Sequence, residues 1–238
     1  MQLINEGTIL GERGETMRLV PAGIVDEFYL EKLGRIDFQN ILHNPFGDRL
    51  RKMLEELERS SRLDFIFLDC RAGFHDIGGL AMADLAHAAV VLGSHSRQTW
   101  AGLTQVIRRL ARPLASEQEA LPIVLAHAMA PSLMSPGSEP ELRAFREMAY
   151  TVFLENYYSD SEDHPAPNER DEDAPSTPVV IPWNSELRGD IMLFSTSDSL
   201  EEKRRLEALI ATLTALPYQQ LAERICLLFG RNLQGERG

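Results

Sequence analysis

The stretch Asp64-Phe65-Ile66-Phe67-Leu68-Asp69 constrains the fold of this chain more than any other. A continuous apolar run closed by an acid suits a strand buried on both faces, a setting found where helices cover a sheet from each side. Sheets of that kind are largely parallel, and parallel strands need crossover connections, so the rest of the chain should alternate strands with helices. It does so. Ala88-Ala89-Val90-Val91-Leu92-Gly93 reads as a second buried strand, Thr99–Leu110 as a helix, Leu121–Ala126 as a third strand, and Glu141–Leu154 as an amphipathic helix. Val179-Val180-Ile181-Pro182 returns to the sheet, and Ser199–Leu216 and Tyr218–Phe229 close the fold as two helices separated by Pro217. The expected class is α/β, a mostly parallel sheet with flanking helices.

Upstream, residues 1–16 are polar and Gly-rich, and Met17-Arg18-Leu19-Val20-Pro21 reads as a buried strand leaving the sheet at Pro21-Ala22-Gly23. Phe28, Leu30, Leu33, Ile36 and Phe38 suggest one or two short helices with Asp26 near the first start. After the break at Asn44-Pro45, Leu50, Met53, Leu54 and Leu57 keep helical spacing over 46–60, with Arg51, Lys52, Glu55, Glu56 and Glu58 on a solvated face. A chain of 238 residues, 44% hydrophobic, fits one large domain over 1–238. Within it, residues 159–178 carry seven acids, four prolines and no large apolar side chain, and read as a mobile, disordered acidic loop.

The formal charge of -12 argues against a duplex-DNA reader built on clustered cations, and gives no strong nucleic-acid signal. Cys70 and Cys226 have no paired spacing, so they are expected as buried, reduced thiols rather than zinc ligands or a disulfide. The first residues show no leader, and no apolar run approaches the ~18 residues a membrane span needs. The expected setting is soluble and cytoplasmic.

Chemistry concentrates in residues 65–79. An acid at the carboxyl end of a buried strand lies where open α/β sheets place ligands, and such a carboxylate can hold the water shell of a magnesium ion. Gly73, four residues on, has a backbone N–H that nothing keeps from approaching a terminal phosphate. The bland alternative makes Asp69 a turn cap after an ordinary strand.

Asp69, Arg71, Gly73, Asp76, Gly78 and Gly79 form an Asp-x-Arg-x-Gly-x-x-Asp-x-Gly-Gly run that resembles the Walker-B and switch region of ParA/MinD-like P-loop NTPases, most of all the large bacterial members that open with a KGG-type P-loop. The resemblance covers about residues 17–230. It takes in Leu19–Gly23, Asp26, Glu27, Lys32 and Ile36–Phe38 upstream, and Ala83-Asp84-Leu85 and Ile181-Pro182 downstream. It implies a ParA/MinD-like topology lacking its N-terminal P-loop portion, and an ATP-dependent switch that changes partners on hydrolysis, often as a homodimer. By that resemblance Asp69 holds Mg²⁺ through water and stands with Arg71 and Asp76 as the catalytic candidates. Gly73 is the γ-phosphate sensor, and His127 and Pro182 join Asp69 and Gly73 as cofactor-binding positions for ATP.

The sequence departs from that family in two places. No Gly-Lys-Thr phosphate loop exists, and Gly11-Glu12-Arg13-Gly14-Glu15-Thr16 places acids where phosphate would sit. Without such a loop the electrostatic placement that phosphoryl transfer depends on is missing from these residues. Where the family has a polar Asn-containing turn against the base, this chain has Ala126-His127-Ala128-Met129-Ala130-Pro131. His127 there can contact a base or serve only the core, and His75 in the switch loop is a general base or a solvated side chain. Two readings stay open: an ATP-binding switch whose P-loop half lies in another stretch of polypeptide, and a non-catalytic interaction module derived from the same fold. Either would pair with a copy of itself or a partner protein.

Overall fold

A computed structural model describes residues 4–8, 16–20, 26–35, 46–61, 63–70, 85–111, 120–132, 135–158, 166–188 and 199–231. They fall into two compact units, one formed by Met1–Phe38 with Asn184–Ala215, the other by Gln39–Trp183 with Leu216–Gly238.

In the first unit β1 (Ile4–Thr8) pairs antiparallel with β2 (Thr16–Leu19), with Thr8 opposite Thr16 and Gly7 opposite Met17. This corrects the expectation of a buried strand at 17–20, since Leu19 is 59% exposed and Val20 39%. The reason is legible in the run itself. Thr16-Met17-Arg18-Leu19 alternates polar and apolar residues, a pattern that suits a half-solvated antiparallel ribbon rather than a strand covered on both sides. The short helix α1 (Tyr29–Gly34) starts where the Asp26 carboxylate accepts from the Phe28 N–H at 3.0 Å and pairs with Lys32 at 2.6 Å.

The second unit holds the parallel sheet. Before it, α2 (Phe46–Ser61) buries Leu57 and half-buries Met53 and Leu54, while Arg51, Lys52, Glu55, Glu56 and Glu58 are exposed as their spacing predicts. The sheet consists of β3 (Ala89–Gly93), β4 (Ile123–Ala130) and β5 (Val179–Pro182) in the order β3-β4-β5, with both pairings parallel. Two crossover helices connect them, α3 (Arg97–Ala111) and α4 (Glu139–Asn156).

One sheet face presents Ala89, Val91, Ile123 and Leu125 to Trp100, Leu103, Ile107 and Leu110 of α3 and to Phe145, Ala149, Val152 and Phe153 of α4. The opposite face presents Val124, Ala126, Val179 and Ile181 to Tyr218, Leu221 and Ile225 of α6 (Leu216–Leu228), which follows α5 (Leu200–Leu213) of the first unit. Pro217 lies inside the first turn of α6, where its missing N–H costs nothing. The central strand β4 is therefore covered on both sides, as its contiguous apolar run Ile123–Ala126 requires.

Residues 64–70 behave differently from expectation. They form no strand and join no described sheet; Ile66 is 41% and Phe67 75% exposed. Phe65 instead packs edge-on against Phe229 at 5.6 Å, beneath the Arg231 guanidinium at 5.5 Å, and Arg231 also donates to Asp64 at 2.7 Å. A strand needs a ladder partner as well as apolar side chains, and among the described residues none pairs with this run.

The second half of the acidic segment is likewise not a free loop. Residues 166–178 form successive turns in which Ala174 and Ser176 are buried. Arg224 of α6 donates to the carbonyl oxygens of Glu172 (2.6 Å), Asp173 (3.2 Å) and Ala174 (2.8 Å), and the Tyr158 hydroxyl donates to Ser176 Oγ at 3.3 Å. The apolar surface that composition denied this stretch is replaced by hydrogen bonds to its backbone. Residues 159–165 lie outside the described residues.

Candidate functional site at the carboxyl edge of the parallel sheet

All three strands end at one edge, where the helices α3 and α4 begin. Gly93 ends β3 directly opposite His127 of β4. A Cβ on Gly93 would stand 2.5 Å from Leu103 Cδ1 and 3.0 Å from Thr99 Cγ2, so glycine is what lets α3 turn back this tightly onto the strand. The Ser94-His95-Ser96 turn follows. The Ser96 hydroxyl accepts from the Thr99 N–H at 3.1 Å, a side-chain cap on α3, and the Thr99 hydroxyl bonds to Ser94 at 3.1 Å.

His127 is the centre of the edge. Its side chain is 1% exposed, and among the described residues neither ring nitrogen has a hydrogen-bond partner. The ring lies flat on Phe145 at 3.9 Å and 3°. Phe145 in turn meets Trp100 at 4.7 Å and His95 at 6.4 Å, and the Trp100 Nε1 is also buried without a partner among the described residues. Glu141, one helical turn before Phe145, places Oε1 3.8 Å from His127 Nε2, too far for a hydrogen bond. Burial lowers the His127 pKa to about 4, with the nearby His95 adding to the effect, so the imidazole is neutral near pH 7.

Beyond His127 the strand carries a bulge. The register shifts between Ala128 and Ala130, and Met129 adopts φ 53°, the left-handed region that a non-glycine residue enters at a cost of ~1 kcal/mol or more. Met129 is 60% exposed, and Trp183, whose N–H donates to Ala130 O at 2.8 Å, is 55% exposed. Pro182 is half-buried at the end of β5.

The residues read from sequence as a site are distributed unevenly. His127 and Pro182 both reach this edge. His127 does so with its ring face covered by Phe145, which leaves that face closed to a nucleobase. Asp69 is exposed at the end of the unpaired 64–70 run, next to Cys70. The Cys70 thiol is exposed rather than buried as expected, donates to Leu68 O at 3.6 Å, and is held above its ordinary pKa by partial desolvation and then by the Asp69 charge. Arg71, Gly73, His75, Asp76, Gly78 and Gly79 lie outside the described residues.

Among the described residues no three acidic, His or Cys side chains are grouped to hold a metal. A lone exposed carboxylate holds magnesium poorly against water. The described residues therefore do not by themselves fit a MgATP site. Trp100 reads from the sequence as a core or interface anchor, and it is buried here, while Glu141, Phe145 and the Ser94–Arg97 turn do not stand out in the sequence as site residues. A Gly followed by Ser-x-Ser before a helical run was a signal available to find the last.

Comparison with known proteins finds no matching family model, no matching curated protein and no matching solved structure. No helix among the described residues is long and apolar enough to cross a membrane.

Proposed function

We propose that this chain carries the Walker-B and downstream part of a ParA/MinD-like switch domain, which binds MgATP through its own residues and needs a phosphate-binding loop from further polypeptide to hydrolyse it and change partners. The observation that carries the reading is the parallel β3-β4-β5 order with helices on both faces, directly downstream of the Asp69–Gly79 run. That arrangement gathers strand ends at one edge, the place where open α/β sheets take ligands. Asp69 is the residue assigned to Mg²⁺ through water, with Gly73 at the terminal phosphate. The partner is a second copy or another protein.

Isothermal titration of MgATP into the purified chain tests this, alone and with Asp69→Asn. Saturable heat that Asp69→Asn weakens by about tenfold supports the switch, one hydrogen-bonded charge being worth about that much. Absence of any heat up to ~1 mM nucleotide selects the second reading, a non-catalytic interaction module. That reading is favoured by one feature, the exposure of Phe67 and Asp69 on a run outside the sheet.

A further inference from the structure

Residues 65–69 are built like a strand that lacks its sheet. The Phe65 and Phe67 rings stack at 6.0 Å, as i and i+2 side chains do on one face of an extended chain, and residues 65–70 form no helix, turn or ladder. Among the described residues the backbone polar groups of 65–69 have a single partner, the Cys70 thiol, which donates to Leu68 O at 3.6 Å. A row of free N–H and C=O groups is a template for another strand.

The side chains are equally open. Ile66 and Phe67 are exposed, and so is Phe229 of α6, against which Phe65 packs at 5.6 Å, so the sheet unit carries a contiguous apolar surface here. Single exposed apolar residues are ordinary, whereas a contiguous group marks a place of contact.

Charge narrows what fits there. Asp64 is already bonded to Arg231 at 2.7 Å, but the exposed Asp69 carboxylate at the other end of the run has no hydrogen-bond or ion-pair partner among the described residues. A second copy pairing antiparallel about the centre of the run sets Asp64 opposite Asp69, a like-charge pair that weakens a ladder, and the chain as a whole carries a charge of -12. The complement is a basic partner.

We propose that residues 65–69 accept an added β-strand from another protein, a short segment of alternating apolar residues with a Lys or Arg opposite Asp69. The free backbone groups of the run form the ladder, the partner's apolar side chains lie beside Phe67 and Phe229 on one face and Ile66 on the other, and the cation meets the carboxylate. This docking needs neither a phosphate-binding loop nor magnesium, so it stands whether or not the chain binds MgATP.

The probe is the synthetic peptide Lys-Val-Thr-Val-Thr-Val-Thr-Lys, titrated into the ¹⁵N-labelled full chain while the amides of 65–69 are followed. They are expected to shift along one saturating curve with Kd on the order of 0.1 mM and to exchange more slowly when bound. Replacing both peptide Lys by Glu weakens binding about threefold, and Asp69→Asn abolishes that difference between the two peptides. Phe67→Ser weakens binding about tenfold. A peptide with Pro at the central Val, which removes a ladder donor, does not bind. Non-saturating shifts at 65–69, equal binding of the Pro peptide, or equal binding of the Lys and Glu peptides to the wild type overturns the proposal. Shifts that grow with chain concentration in the absence of peptide assign the surface to a second copy and overturn it too. None of these results bears on the MgATP titration, and absence of nucleotide binding leaves the peptide result in place.

Discussion

Lowering the pH should destabilise the sheet unit through His127 by an amount that can be worked from its burial. The imidazole titrates at about 4 in the fold and at 6.5 when exposed, so the unfolded chain takes up a proton first as acid is added. Above about pH 7 the group is neutral in both states and contributes no penalty. Stability is then lost as pH falls through 6.5, and the loss is complete below the folded value of about 4. At 1.36 kcal/mol per pH unit the full penalty is about 3 kcal/mol, and at about pH 5 it is already about 2 kcal/mol.

Among the described residues the charged and titratable groups facing His127 are Glu141 on α4, which favours the proton, and His95 after β3, which opposes it. Urea unfolding followed by Trp fluorescence at about pH 7.5 and pH 5 gives the measurement, with His127→Phe as the non-titrating comparison. Carboxylate effects common to both proteins cancel. The wild type should lose about 2 kcal/mol more than His127→Phe over that interval. Equal losses in the two proteins would refute the reasoning, because they would mean that the ring is not buried neutral. If His127→Phe does not fold, the ¹⁵N titration of the wild-type ring replaces it, and a midpoint near 6.5 gives the same refutation.

Arg224→Ala should release the 168–177 turns, since three backbone carbonyls lose their donor. Amide exchange there should quicken, with a global cost of about 2 kcal/mol, and unchanged exchange would show that the turns hold themselves. Gly93→Ala should cost about 1–3 kcal/mol by overpacking, because the new methyl meets the buried Leu103 at 2.5 Å; a Tm equal to wild type would place α3 farther from the strand.

The alternation of apolar runs with helical spacing was enough to read β3, β4, β5 and the helices around them. Each of those elements announces itself locally. The contiguous apolar residues of Ile123–Ala126 can be buried only between two layers, and α2 carries its solvated face in its own spacing. The edge site was read less well. His127 stood out in the stretch after Leu121–Ala126, expected as a turn and found as the continuation of β4, but nothing in the sequence brings Phe145 and Glu141, on a later helix, to its ring.

What the amino-acid order determined by itself is periodicity, and with it the existence of helices and interior strands, because period and burial are properties of adjacent residues. Tertiary structure alone decided three further matters. Phe65–Leu68, as apolar as any strand here, lies against Phe229 because a ladder needs a neighbour that sequence does not name. The acidic 166–178 segment is ordered because Arg224, about fifty residues away, meets its carbonyls. His127 is neutral because a distant aromatic ring seals it from water, and desolvation is set by what packs around a group rather than by the group.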